Sequence, residues 1–163
     1  MAFKSRLKAD PEYFQALGWA LYSFTYLEAL VVQIIIKLSP TIYKDRVREV
    51  EDTVVKGRHP TAGVIAAALK DAIAEADNTA QSMTAPLRQR LIDFQASFDA
   101  AVKNYRNQVL HARPYTTPEG YQELIKQRRK WPIEEVEEAA TLFQKLASEG
   151  SKIYDGPLAA ERP

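Results

Sequence analysis

The chain has 163 residues, 22 of them basic and 21 acidic, for a net charge of +1. That length suits one domain with one sizeable core, and a composition 46% hydrophobic and 26% charged argues against wholesale disorder. The near balance of charge argues against broad electrostatic wrapping of nucleic acid and leaves room for a local basic patch. With no cysteine, disulfides and thiolate chemistry are excluded. With two histidines, a histidine-rich zinc site is not expected, so the sequence implies no metal and no cofactor.

The opening MAFKSRLKADPEY has no immediate apolar run or cleavage signal, so no secretory leader is expected and the expected location is cytoplasmic. Asp10 is a good helix N-cap and Pro11 fits the first helical position. Leu17, Leu21, Phe24, Glu28, Val31, Ile35 and Leu38 then recur at helical spacing, flanked by Trp19, Leu27, Val32 and Ile36. The run from Leu17 to Leu38 is long enough to reach across a bilayer, but Glu28 and Gln33 inside it are costly there. A long buried helix, central in a bundle or at a subunit contact, is the expectation, with no membrane partner. Trp19, Tyr22, Phe24 and Tyr26 read as core and interface residues ahead of a ligand pocket.

Pro40 ends that helix, and a shorter charged helix is expected from Tyr43 to Val55. Gly57, Arg58, His59 and Pro60 make a turn, with His59 exposed or capping. Thr61 caps the next helix, whose apolar positions Val64, Ala68, Leu69, Ala72, Ile73 and Ala76 are rich in alanine and admit a close neighbour. Thr84 and Pro86 launch the longest clear pattern: Leu87, Leu91, Phe94, Phe98, Ala101, Tyr105 and Val109. Arg113-Pro114 favours extended backbone and ends it, and 117–120 (TPEG) is a turn. The stretch 121–130 (YQELIKQRRK) reads equally as a short helix, a strand pair or a loop. A last helix starts near Pro132, with Ile133, Val136, Ala140, Phe143 and Leu146 or Ala147 toward the core and Gly150 as its stop. The expected fold is all-α, an up-and-down bundle of four principal helices with room for a fifth short one. It occupies 1–150, with 151–163 as a peripheral tail.

The segment 105–116 (YRNQVLHARPYT) crowds Arg106, Asn107, His111 and Arg113 into the last turns of the third helix. On a regular helix of about 100° per residue, Arg106 and His111 point about 140° apart, both off the core direction. A long arginine in a frayed last turn can close that gap. An arginine fork suits a phosphate, and a histidine can take or give a proton near neutral pH. Together they have the minimum needed to clamp a phosphodiester and move a ribose 2′-hydroxyl proton, with Asn107 orienting and Arg113 adding positive charge. Helix-end capping accounts for the same residue types. Glu28, a carboxylate on an apolar stripe, needs a partner: Arg106 is one candidate, a Lys or Tyr another, and a structural buried pair is the reading set ahead of support for the site. Arg128, Arg129 and Lys130 beside Trp131 can hold a nucleic-acid backbone and stack a base, although Trp131 reads first as a hydrophobic plug.

Arg106-Asn107-Gln108-Val109-Leu110-His111 resembles the motif of the HEPN superfamily, an arginine and a histidine four to six residues apart with a polar residue, often asparagine, after the arginine. The setting matches too: the end of a long helix in a helical domain, over most of 10–150. The resemblance implies a metal-independent endoribonuclease of toxin–antitoxin, phage-defence or RNA-processing type, commonly dimeric with paired motifs, and an antitoxin protein as a partner. It would make Arg106 the phosphate ligand, His111 the acid–base or orienting residue and Asn107 the auxiliary polar group. One toxin subgroup carries a tyrosine two places after the histidine. This chain has Arg113 there and Tyr115 two places later, so regulation through that tyrosine does not carry over. Some members are inactive binding or assembly domains, and the alternative expectation is a helical interaction or RNA-binding domain that forms a homodimer.

Overall fold

A computed structural model describes residues 10–48, 61–78 and 83–160. The turn with His59 and the second half of the helix expected to reach Val55 lie outside them.

Four principal helices form the bundle: α1 (Pro11–Leu38), α2 (Ala62–Asn78), α3 (Ala85–Ala101) and α4 (Ile133–Asp155). Asp10 caps α1 by accepting from the Glu12 N–H at 3.0 Å, with Pro11 at the first position. Ser39 ends α1 and, before Pro40, caps a short turn (Pro40–Ile42) that continues as a π-helical turn, Tyr43–Arg48. Tyr13 meets Trp131 at one end of the α1–α4 seam and Lys37 meets Tyr154 at the other, so these helices run parallel. Contacts of Arg88 with Asp77 and Gln95 with Ala66 set α3 against α2. Contacts of Arg90 with Glu149 and Tyr105 with Trp131 set it against α4. Direction therefore alternates from α2 through α4, while α1 lies beside α4 in the same sense.

The core holds Phe24, Phe98 and Phe143, with Phe24 stacked on Phe98 and edge-on to Phe143, surrounded by Leu27, Val31, Leu69, Leu91 and Val136. The expected stripes of α2, α3 and α4 point inward, with Val64 an exposed exception. On α1 Phe24, Val31 and Ile35 of the expected stripe are buried, but the buried face is shifted over the first half of the helix. Tyr13, Ala16, Ala20, Leu27 and Ile34 are buried, while Trp19 and Leu21 are about half exposed. The small residues Ala16 and Ala20 lie on the inner face there, and Trp19 and Leu21 are turned outward. By length and composition α1 can cross a membrane; it also supplies nine buried residues to the bundle.

Two further departures matter. The stretch between α3 and α4 is an antiparallel meander of β1 (Arg113–Thr116), β2 (Gln122–Lys126) and β3 (Arg129–Trp131), added to the helical bundle. Gln127 and Arg128 form its second turn, both at positive φ, as a two-residue hairpin turn requires. And Gly150 does not stop α4. A Cβ there would lie 2.8 Å from Leu30 Cδ2 and 3.0 Å from Phe94 Cζ, so its role is close packing. The helix ends at Gly156. Ile153 and Leu158 are buried, which corrects the reading of 151–163 as wholly peripheral: the core runs past residue 150.

Candidate functional site

α3 does not run regularly to the site. After Ala101 it widens into a π-helical turn, Val102–Arg106, then closes with one short α segment, Asn107–Val109. Such a widening inserts a residue into the helical register and re-aims the side chains beyond it. The core stripe slips from Ala101 to Val102, both buried, and Tyr105 is left half-buried against Trp131, ring centroids 6.3 Å apart. The chain leaves the helix at Leu110, so His111 sits in a turn and is exposed.

This local unwinding closes the gap that a regular helix would leave. Arg106 Nη1 stands 3.5 Å from His111 Nε2 and donates to Asn107 Oδ1 at 3.0 Å. With the ring proton on Nδ1, Nε2 is the acceptor of the guanidinium. At 3.5 Å the contact is longer than an ordinary hydrogen bond, so the two groups face one space without being locked to each other. The guanidinium carbon lies 5.7 Å from the centre of the Phe24 ring, within cation–π range. Arg106 Nε is buried with no hydrogen-bond partner among the described residues.

Glu28 is half-buried on α1 beside Arg106. Burial pushes its carboxyl above the ordinary range, and the Arg106 guanidinium pulls the other way. No carboxylate of the described residues forms an ion pair with Arg106, so the guanidinium is held by Phe24 and Asn107 and is only electrostatically influenced by Glu28. Lys126, at the end of β2, donates to the Asn107 carbonyl at 2.6 Å and ties the meander to the helix end. It was not among the expected site residues. A lysine at the edge of a stretch readable as helix, strand or loop gives no directional signal.

The basic cluster divides. Arg128 is at the exposed hairpin tip. Arg129 is bound to Glu135 at 2.6 Å and lies 4.4 Å over the Trp131 ring. Lys130 lies 5.4 Å from the Tyr115 ring centre, and the strand register aligns it through Ile125 with Arg113, so Arg113 and Lys130 share the outer face of the sheet. Trp131 is fully buried, which corrects its reading as a base-stacking residue: the plug is what the fold uses. Its carbonyl accepts from the Tyr13 hydroxyl at 2.8 Å, and that hydroxyl accepts from the Leu124 N–H at 3.1 Å, fixing the meander on α1. Burial raises the pKa of Tyr13 and keeps it a neutral donor.

The arrangement offers a planar cation, an exposed imidazole and an amide within one turn, beside the basic outer face of a small sheet. Among the described residues no group of three or more His, Asp or Glu is placed to hold a metal ion. No family model, curated protein or solved structure matches the chain.

Proposed function

We propose that the protein is a metal-independent endoribonuclease of HEPN type, acting in the cytoplasm in a toxin–antitoxin or phage-defence setting, with Arg106 and His111 as its catalytic residues. The observation that carries the reading is the 3.5 Å approach of Arg106 Nη1 to an exposed His111 Nε2 at the end of a locally unwound helix.

In this reading the Arg106 guanidinium binds a non-bridging phosphate oxygen and stabilises the charge that grows there. The imidazole of His111 takes the proton of the ribose 2′-hydroxyl. The 2′-oxygen–phosphorus bond forms as the phosphorus–5′-oxygen bond breaks, and solvent protonates the departing 5′-oxygen. Asn107 holds the guanidinium and Lys126 holds Asn107. Arg113, Lys130 and Arg128 track the strand on either side by charge alone, with Arg129 committed to Glu135. An antitoxin protein would act by covering this end of the bundle.

The products test the chemistry. RNA cut by this route ends in a 2′,3′-cyclic phosphate and a 5′-hydroxyl. Products ending in 3′-hydroxyl and 5′-phosphate would refute it. A folded protein that binds RNA without cutting it would instead support an inactive RNA-binding domain.

A further inference from the structure

The solvent side of α1 is unusual for a surface helix. From Phe14 to Gln33 every exposed residue is uncharged. Phe14, Trp19, Leu21, Tyr22 and Tyr26 are 48–67% exposed, and they are five of the nine large hydrophobics exposed among the described residues. Outward helix faces ordinarily carry charged and polar residues, and this one has none of the former over about 30 Å of helix at 1.5 Å per residue. Gly18 lies in the middle of the face. A mid-helix glycine costs about 1 kcal/mol against alanine. A Cβ at Gly18 would meet nothing within 4 Å among the described residues, so no contact with them requires that glycine. Beside this face, Tyr22 and Tyr26 edge a shallow groove of about 360 Å³ against Ala147 and Ser151 of α4.

We infer that this face is the docking surface for a second copy of the chain, with the two α1 helices antiparallel about a two-fold axis at Tyr22. The sequence is its own complement in that register. Gly18 falls opposite Tyr26 of the partner subunit, Trp19 opposite Thr25, Gln15 opposite Ala29, and Tyr22 opposite itself. Each off-axis pair sets a larger side chain against a smaller one, and every one of these positions is exposed. A parallel pairing would set Trp19 on Trp19 and Gly18 on Gly18, bulk on bulk and gap on gap. The absence of charge lets the face meet its own copy without repulsion. It also disfavours a lipid surface, because interfacial helices flank their apolar face with Lys and Arg. The one lysine of α1, Lys37, is instead turned onto Tyr154, 3.8 Å from its ring. With large side chains of roughly 150–250 Å² about half exposed, the patch offers roughly 400–600 Å² of apolar surface per copy. That is at least half of the roughly 800 Å² each partner gives to a standard interface.

The test needs no RNA, so it fails or succeeds independently of the nuclease reading. Sedimentation equilibrium of the full chain at about 10–100 μM, the concentration range of a moderate interface, should give twice the 18.4 kDa of one chain. Tyr22→Glu places two carboxylates on the axis and should weaken the dimer at least about 100-fold, because like charges across an interface repel, with the far-ultraviolet dichroism unchanged. Tyr22→Phe should keep the dimer. Because the chain has no cysteine, Gln33→Cys gives a single spin-label site. The antiparallel register puts the two labels about 22 residues apart along the axis, roughly 33 Å at 1.5 Å per residue. A monomer throughout that range, a dimer indifferent to Tyr22→Glu, or a label separation near about 10 Å, the spacing of packed parallel helices, would each overturn the proposal. A monomer that co-sediments with phosphatidylcholine vesicles would overturn it in favour of a lipid surface.

Discussion

Arg106, at the end of the π-helical turn that follows α3, and Glu28 on α1 oppose each other: burial raises the Glu28 carboxyl pKa, and the guanidinium of Arg106 lowers it by less. The folded state therefore holds the Glu28 proton more tightly than the unfolded chain. Its contribution to stability is most favourable below the ordinary glutamate value of 4.5 and is lost as pH rises through that value toward the raised folded pKa. Glu28→Gln removes this dependence. The variant should be more stable than the wild type in urea unfolding at neutral pH, with the difference closing as the pH falls to the ordinary glutamate value. A variant less stable at neutral pH would mean that the Arg106 attraction outweighs the desolvation.

Tyr13 joins α1 to the meander through one hydroxyl that donates to the Trp131 carbonyl and accepts from the Leu124 N–H. Tyr13→Phe keeps the ring and leaves both backbone groups without that partner. It should cost about 1–3 kcal/mol. Amide exchange at Leu124 should accelerate more than exchange in the centre of α3. An unchanged exchange rate at Leu124 would show that the hydroxyl does not hold the sheet.

Two glycines should respond oppositely to alanine. At Gly150 the new methyl meets Leu30 and the Phe94 ring, and overpacking of about 1–3 kcal/mol should exceed the roughly 1 kcal/mol gained in helix propensity. At Gly18 no described residue lies within 4 Å of the new methyl, so Gly18→Ala should stabilise by about 0.5–1 kcal/mol. The second substitution is best measured with Tyr22→Glu, where the α1 face is unpaired. Thermal unfolding of the two variants reads both signs.

The bundle was legible because apolar spacing reports what a helix buries when one face is plainly apolar, as in Leu87, Leu91, Phe94 and Phe98. On α1, where nearly every face is apolar, it held for Phe24, Val31 and Ile35 and misled at Trp19 and Leu21. The small residues Ala16 and Ala20 pack inside there, and Trp19 and Tyr22 stay out. Gly150 looked like a stop because a glycine needed for close packing and one needed for a helix end are the same letter. The meander was ambiguous because residues 121–130 carry no strong period, and their turn is made by Gln127 and Arg128 rather than by the glycine or asparagine that usually marks one. The pairing of Arg106 with His111 was visible as a motif. The π-helical turn that brings them together leaves no residue signature, since it is a change in hydrogen-bond register.

If Arg106 and His111 carry the chemistry, the most direct test is cleavage of a mixed RNA pool in chelator by the wild type, Arg106→Ala and His111→Ala, each first shown to be folded. Cleavage by the wild type is expected, with a loss of about 10²–10⁴-fold in either variant, the range for removing a positioned acid–base or charge-stabilising group. Equal cleavage by all three, or cleavage only on addition of a metal, would contradict that assignment.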